Sequence, residues 1–238
     1  MRRLPGHHIG AVAAALVALT LAVGPVLANP GDLDPAFSQD GIRQFSFSSG
    51  GDDEASDLTL GPGDKPVVVG SANGDMMVAR LRANGSSDPD FSGDGRQQVD
   101  FGSFEVAFGV AMQGSKVLLA GIQKRRGAVA RLKQNGARDT SFSGDGRATL
   151  AIAGRENITL LAVADGGDGR VVVVGSADNG DDDRVAIVVR YTAAGALDRA
   201  FSGDGVRIID IPGGQARDLH VLASGLGFVE FRGQISIP

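Results

Sequence analysis

Short apolar runs recur along the chain between clusters of Gly, Asp, Asn and Ser. The most continuous are Val67-Val68-Val69-Gly70, Val117-Leu118-Leu119-Ala120-Gly121 and Val171-Val172-Val173-Val174-Gly175. Each is followed by a run with an arginine before its last apolar residue: Val78-Ala79-Arg80-Leu81, Val129-Ala130-Arg131-Leu132 and Val188-Val189-Arg190-Tyr191. Another set precedes them, in Ala55–Leu60, Val106–Ala111, Ile158–Val163 and Ala216–Val221. Val-rich runs of this length, bounded by turn residues, predict strands rather than helices. Gly61-Pro62-Gly63-Asp64 and Gly166-Gly167-Asp168-Gly169 have the chemistry of hairpin turns between them. A first strand is expected after each Asp-Gly pair, as in Ile42–Phe47 and Val206–Ile211.

The runs belong to a repeat. Four segments read Gly-x-x-Asp-x-x-Phe-Ser-x-Asp-Gly, starting at Gly31, Gly85, Gly136 and Gly195. Their phenylalanines, Phe37, Phe91, Phe142 and Phe201, are 54, 51 and 59 residues apart. A near-constant period of this length marks a repeat architecture in which each unit buries its faces only against its neighbours. The fold class expected is all-β, a β-propeller-like array of four-stranded antiparallel repeats, with three complete units and an incomplete fourth. The strand around Phe228–Gln234 then forms an edge carrying Phe228, Val229 and Phe231, so self-association through it is expected.

The turn block resembles the hallmark of the delta-60 repeat proteins, bacterial and often exported tandem β-repeats. Gly31–Gly41 and Gly195–Gly205 match it most closely, and the resemblance covers essentially residues 31–238. It implies a propeller-like fold and brings no catalytic residues with it.

The N-terminus adds a destination. Arg2 and Arg3 precede the apolar run Ile9–Val23; Gly24-Pro25 breaks it, and Val26-Leu27-Ala28 offers a peptidase site. This order predicts a secretory signal over residues 1–28 and a single repeat domain over 29–238, exported to the periplasm, the cell surface or the medium. After cleavage no stable membrane insertion is expected, since the run is short for a bilayer.

Charge narrows the partners. The chain carries 23 basic and 28 acidic side chains; losing Arg2 and Arg3 leaves 21 against 28, a net charge of −7. Nucleic acid is therefore not expected as a partner. With no cysteine, zinc–thiolate sites are excluded. His7 and His8 leave with the signal, so His220 is the mature chain's one histidine, and no nucleophile motif accompanies it. No enzyme is expected. A carboxylate-only hydrolase is a distant third reading, and the absence of Trp removes the usual sugar-stacking platform.

Two groups of residues remain as candidate sites. Asp34, Asp40, Asp88, Asp90, Asp94, Asp139, Asp145, Asp198 and Asp204 recur in the blocks. Their preferred role is to cap backbone N–H groups at the turn, with the phenylalanine as its buried plug. The alternative is oxygen ligation of Ca²⁺, in a Ca²⁺-dependent adhesion or carbohydrate-binding module; no other cofactor is expected. Arg80, Arg131 and Arg190 are expected to pair with the Asp of the turn that follows each. The second group lies in variable loops at the opposite end of the strands: Asp52, Asp53 and Glu54, Lys124, Arg125 and Arg126, and Asp181, Asp182 and Asp183. The third unit's loop is the longest, with 15 residues from Gly175 to Arg190 against 10 from Gly70 to Arg80 and from Gly121 to Arg131. Binding residues favour variable loops on a rigid scaffold, so a binding or scaffold protein for an unknown protein or glycan at the cell surface is the leading expectation.

Overall fold

A computed structural model describes residues 31–47, 51–178 and 184–209, and the backbone of 219–221 and 229–231. The signal segment, the loop with Asp181, Asp182 and Asp183, and most of the expected C-terminal edge lie outside the described residues.

Three four-stranded antiparallel meanders account for most of the described residues. The first comprises β1 (Asp53–Gly61), β2 (Lys65–Ala72), β3 (Asp75–Arg80) and β4 (Arg96–Val99). The second comprises β5 (Glu105–Gln113), β6 (Lys116–Gln123), β7 (Arg126–Leu132) and β8 (Arg147–Leu150). The third comprises β9 (Glu156–Asp165), β10 (Val171–Asp178), β11 (Val185–Tyr191) and β12 (Val206–Ile209). A two-stranded hairpin, β13 (Leu219–Val221) and β14 (Val229–Phe231), follows. There is no helix among the described residues. The fold is an all-β, propeller-like array of four-stranded antiparallel units.

The sheets are offset from the sequence repeat. The run after each Asp-Gly closes the sheet before it: β4 pairs with β3, β8 with β7, and β12 with β11. The expected first strand at Ile42–Phe47 is accordingly not a strand. No described strand precedes it to be its partner. Its Phe45 and Phe47 rings meet edge to face at 5.4 Å and pack on Ala72, Met77 and Ala79 instead. The Phe47 N–H is held by the Asp53 carboxylate at 2.9 Å.

Stacking explains the continuous apolar runs. β5 lies across β1, β2 and β3 of the first sheet, and β9 across β5, β6 and β7 of the second. Successive side chains of a strand point to opposite faces. Val117 and Leu119 therefore join the core between the first and second sheets, and Leu118 and Ala120 that between the second and third. All four are fully buried. Burial of a leucine of this kind contributes about 1.5–3 kcal/mol, so the stretch Val117–Ala120 is apolar at every position.

The glycine ending each run faces a β-bulge. The inner strands slip register at Ala55/Asp57, at Ala107/Gly109 and opposite Val174/Gly175. There the inner backbone presses onto the middle strand. A Cβ on Gly70, Gly121 or Gly175 would lie 1.8, 1.9 or 1.8 Å from the carbonyl oxygen of Glu54, Val106 or Thr159. No side chain fits where the bulge needs that space.

Candidate functional site

The turn blocks occupy one end of the sheets. In the second block Asp88 is fully buried, and its Oδ2 accepts from Arg80 Nε at 2.7 Å and Lys65 Nζ at 2.9 Å. Its Oδ1 accepts from the Asp90 N–H at 3.3 Å. The third block repeats this at Asp139, with Arg131 Nε and Lys116 Nζ each at 2.8 Å and the Ser141 hydroxyl at 2.7 Å. In the fourth, Asp198 takes Arg190 Nε at 2.8 Å and Arg170 Nε at 3.4 Å. The pairing expected of the three arginines is thus present, and each guanidinium also covers its block phenylalanine at 4.8–4.9 Å from the ring centre.

Burial alone would raise these carboxyls. The cations and N–H donors outweigh it and hold Asp88, Asp139 and Asp198 below the ordinary carboxylate range. The sequence reading missed the second cation. Lys65, Lys116 and Arg170 each stand just before a Val-rich run, and that recurrence was the available signal.

The second aspartate of each block caps its own turn. Asp40, Asp94, Asp145 and Asp204 accept from the N–H two residues on, at 2.8–3.0 Å. Asp34 does the same for Ala36 at 2.8 Å. Asp90 is exposed. Among the described residues no three of these nine aspartates come together.

Blocks also join one another. The Ser38, Ser92 and Ser143 N–H groups donate to the carbonyls of Asn84, Asn135 and Ala194 in the next block. The opening glycine of that next block makes room for the contact. A Cβ on Gly136, whose φ is +86°, would meet Ser92 Oγ at 2.4 Å. Phe91 and Phe142 have an arginine in front and a block behind, and both are fully buried. Phe37 and Phe201 lack one of these covers among the described residues and are half-buried, a correction to four equal plugs.

The other end carries the variable segments. Asp52, Asp53 and Glu54 are exposed at the start of β1, and Lys124, Arg125 and Arg126 are exposed at the β6–β7 turn, where Gln123 joins them in lining a shallow cavity. Arg125 Nη1 meets Glu156 Oε2 at 2.9 Å. Lys124 and Arg126 make no ion pair among the described residues.

At this point the comparisons fit the geometry. A family model described as a domain of unknown function (DUF5122) beta-propeller matches residues 115–142 and 166–201. Those two stretches are similar to β-propeller repeats. Each matched stretch runs from an inner hairpin turn through the middle strand and the arginine strand to a block phenylalanine, Phe142 or Phe201. The motif the sequence repeats is therefore the one the propeller model matches. No curated protein matches the chain.

One further cluster sits at the variable end of this propeller-like array. Asp75 opens β3, Asp100 follows β4 and Glu105 opens β5, and a carboxylate oxygen of each lies within 4.8 Å of the other two. Unit charges at that distance repel by about 3–4 kcal/mol at an effective dielectric near 20. Glu105 is fully buried. Burial pushes its carboxyl above the ordinary range, against the Ser103 N–H and hydroxyl and the nearby Phe101 N–H, and the Asp100 charge pushes the same way. Three residues from separate segments leave no motif, so sequence spacing could not have shown the cluster.

Proposed function

We propose that the chain is an exported, non-catalytic binding or scaffold protein that meets its partner with the variable-loop end of its repeats. One observation carries this reading. The repeated arginines of the block end, Arg80, Arg131 and Arg190, are committed to Asp88, Asp139 and Asp198, whereas Lys124 and Arg126 at the loop end are exposed and uncommitted among the described residues. A face with uncommitted charge on a rigid frame is suited to a partner at the cell surface, a protein or a glycan. The non-catalytic part rests on the mature chain's lack of cysteine and its single histidine, His220. Export rests on the leader pattern of residues 1–28, and the resemblance of the turn block to the delta-60 hallmark supports a repeat of that type.

A photo-crosslinking residue at Lys124, in cells making the full chain, is expected to capture a discrete partner outside the cytoplasm. The same residue at Lys133, exposed on the block side, is expected to capture none. Capture at Lys133 alone, or at neither position, overturns the reading.

A further inference from the structure

The Asp75–Asp100–Glu105 cluster is the one group of three acids that come together among the described residues. We propose that these three carboxylates form a binding site for a hard divalent cation, for which Ca²⁺ is the fitting probe, at the joint between the first and second sheets.

The hydrogen bonds around the cluster stop one oxygen short on each residue. Asp75 Oδ2 accepts from Gln98 Nε2 at 2.5 Å, and Asp100 Oδ1 from the Gly102 N–H at 2.5 Å. Glu105 Oε1 accepts from the Ser103 N–H at 2.7 Å and the Ser103 hydroxyl at 3.0 Å. Asp75 Oδ1, Asp100 Oδ2 and Glu105 Oε2 receive no donor among the described residues, and Glu105 Oε2 is sealed from solvent. A buried carboxylate oxygen without a donor or counter-charge is costly, and such groups are normally paired or bound to a metal. No lysine or arginine among the described residues makes an ion pair with the three. The Arg147 guanidinium, which donates to the Asp100 carbonyl oxygen, is engaged by the Asp145 carboxylate.

The next joint in the array shows the alternative. By place in the sheet, Glu156 opens β9 as Glu105 opens β5, and Arg126 opens β7 as Asp75 opens β3. There the acid is exposed and is neutralised by Arg125 of the same turn. The second joint thus pairs its acid with a cation, while the first gathers three acids that have no ion pair among the described residues. An all-oxygen donor set with two members reaching solvent suits Ca²⁺, which takes carboxylates and waters in irregular geometry, better than the softer transition metals. These residues are distinct from the repeated block aspartates, and the site does not depend on the loop-end partner proposed above.

Calorimetric titration of Ca²⁺ into the full chain, stripped with EDTA, tests this together with thermal melts. One ion per chain and a melting temperature raised by Ca²⁺ are expected. Glu105→Gln and Asp75→Asn should each weaken binding at least tenfold, with Asp94→Asn and Asp145→Asn within twofold of the parent. In EDTA, Glu105→Gln should melt at or above the parent, which separates loss of the site from loss of the fold. Absence of heat and of any melting shift at millimolar Ca²⁺ overturns the proposal. So does binding that survives in the Asp75→Asn/Glu105→Gln double variant, or that falls equally in Asp94→Asn.

Discussion

At the scale of single residues, two positions show how backbone and charge are constrained. Gly121 is needed because the bulge at Ala107/Gly109 brings the Val106 carbonyl to where a Cβ would stand, 1.9 Å away. Gly121→Ala must displace backbone, and a loss of about 3 kcal/mol in a urea melt is expected. Gly144→Ala is the control, since its Cβ meets open space and only the +81° φ is strained, costing about 1–2 kcal/mol. Equal losses would remove the bulge as the cause. Asp139 illustrates the charge constraint. Its folded-state pKa is depressed despite burial, because Lys116, Ser141 and Arg131 favour the anion. A depressed carboxyl contributes stability that is present above its unfolded pKa of about 3.9 and is lost as pH falls toward the folded value. The melting temperature is therefore expected to fall below about pH 4, with a shallower fall in Asp139→Asn. That variant should also lose about 3–5 kcal/mol near neutral pH, because Arg131 stays buried without its counter-charge. An identical acid profile in variant and parent would rule this linkage out.

Among elements, the inner, middle and arginine strands and the blocks were legible, and the strand expected at Ile42–Phe47 and the assignment of strands to sheets were not. Apolar runs bounded by turns marked the inner, middle and arginine strands because both faces of the middle strand are covered. Nothing in Arg96–Val99 says that it pairs backward with β3 rather than forward, since pairing is decided by contacts remote in sequence. The same limit applied to Asp75, Asp100 and Glu105, which are close only once β3, β4 and β5 are in place. The unequal plugs were hidden likewise, because the four blocks read almost alike while their covers differ. That difference has a measurable consequence. Phe142→Ala removes a fully buried ring beneath Arg131 and is expected to cost about 3–5 kcal/mol. Phe37→Ala removes a half-buried one and should cost clearly less. Equal losses in parallel denaturant melts would mean that the blocks are energetically equivalent.

For the molecule as a whole, stability follows from position in the stack. An array whose units touch only their neighbours is stabilised by the interface terms each unit shares, so a unit covered on both faces opens least often. The second sheet is the one covered by both others. β5 lies on the first sheet, and β9 lies on β5, β6 and β7. Within it, Val117, Leu118, Leu119 and Ala120 of β6 are fully buried, whereas most of β1 in the first sheet is exposed. Exchange of a backbone amide requires the local opening that breaks these contacts. Native-state hydrogen exchange is therefore expected to be slowest at the β6 amides, intermediate in β10, and fastest in β1, with the β6 amides reporting the global unfolding free energy. Each joint also carries a block-to-block bond, from Ser92 to Asn135 and from Ser143 to Ala194, so weakening one joint should lower protection on both sides of it. Gly195→Val, whose side chain would press on Ser143 and Phe142, is expected to speed exchange in β10 and β6 while leaving β2 the least changed. Uniform exchange across the three sheets, or β1 slower than β6, would mean that the array unfolds as one body rather than unit by unit.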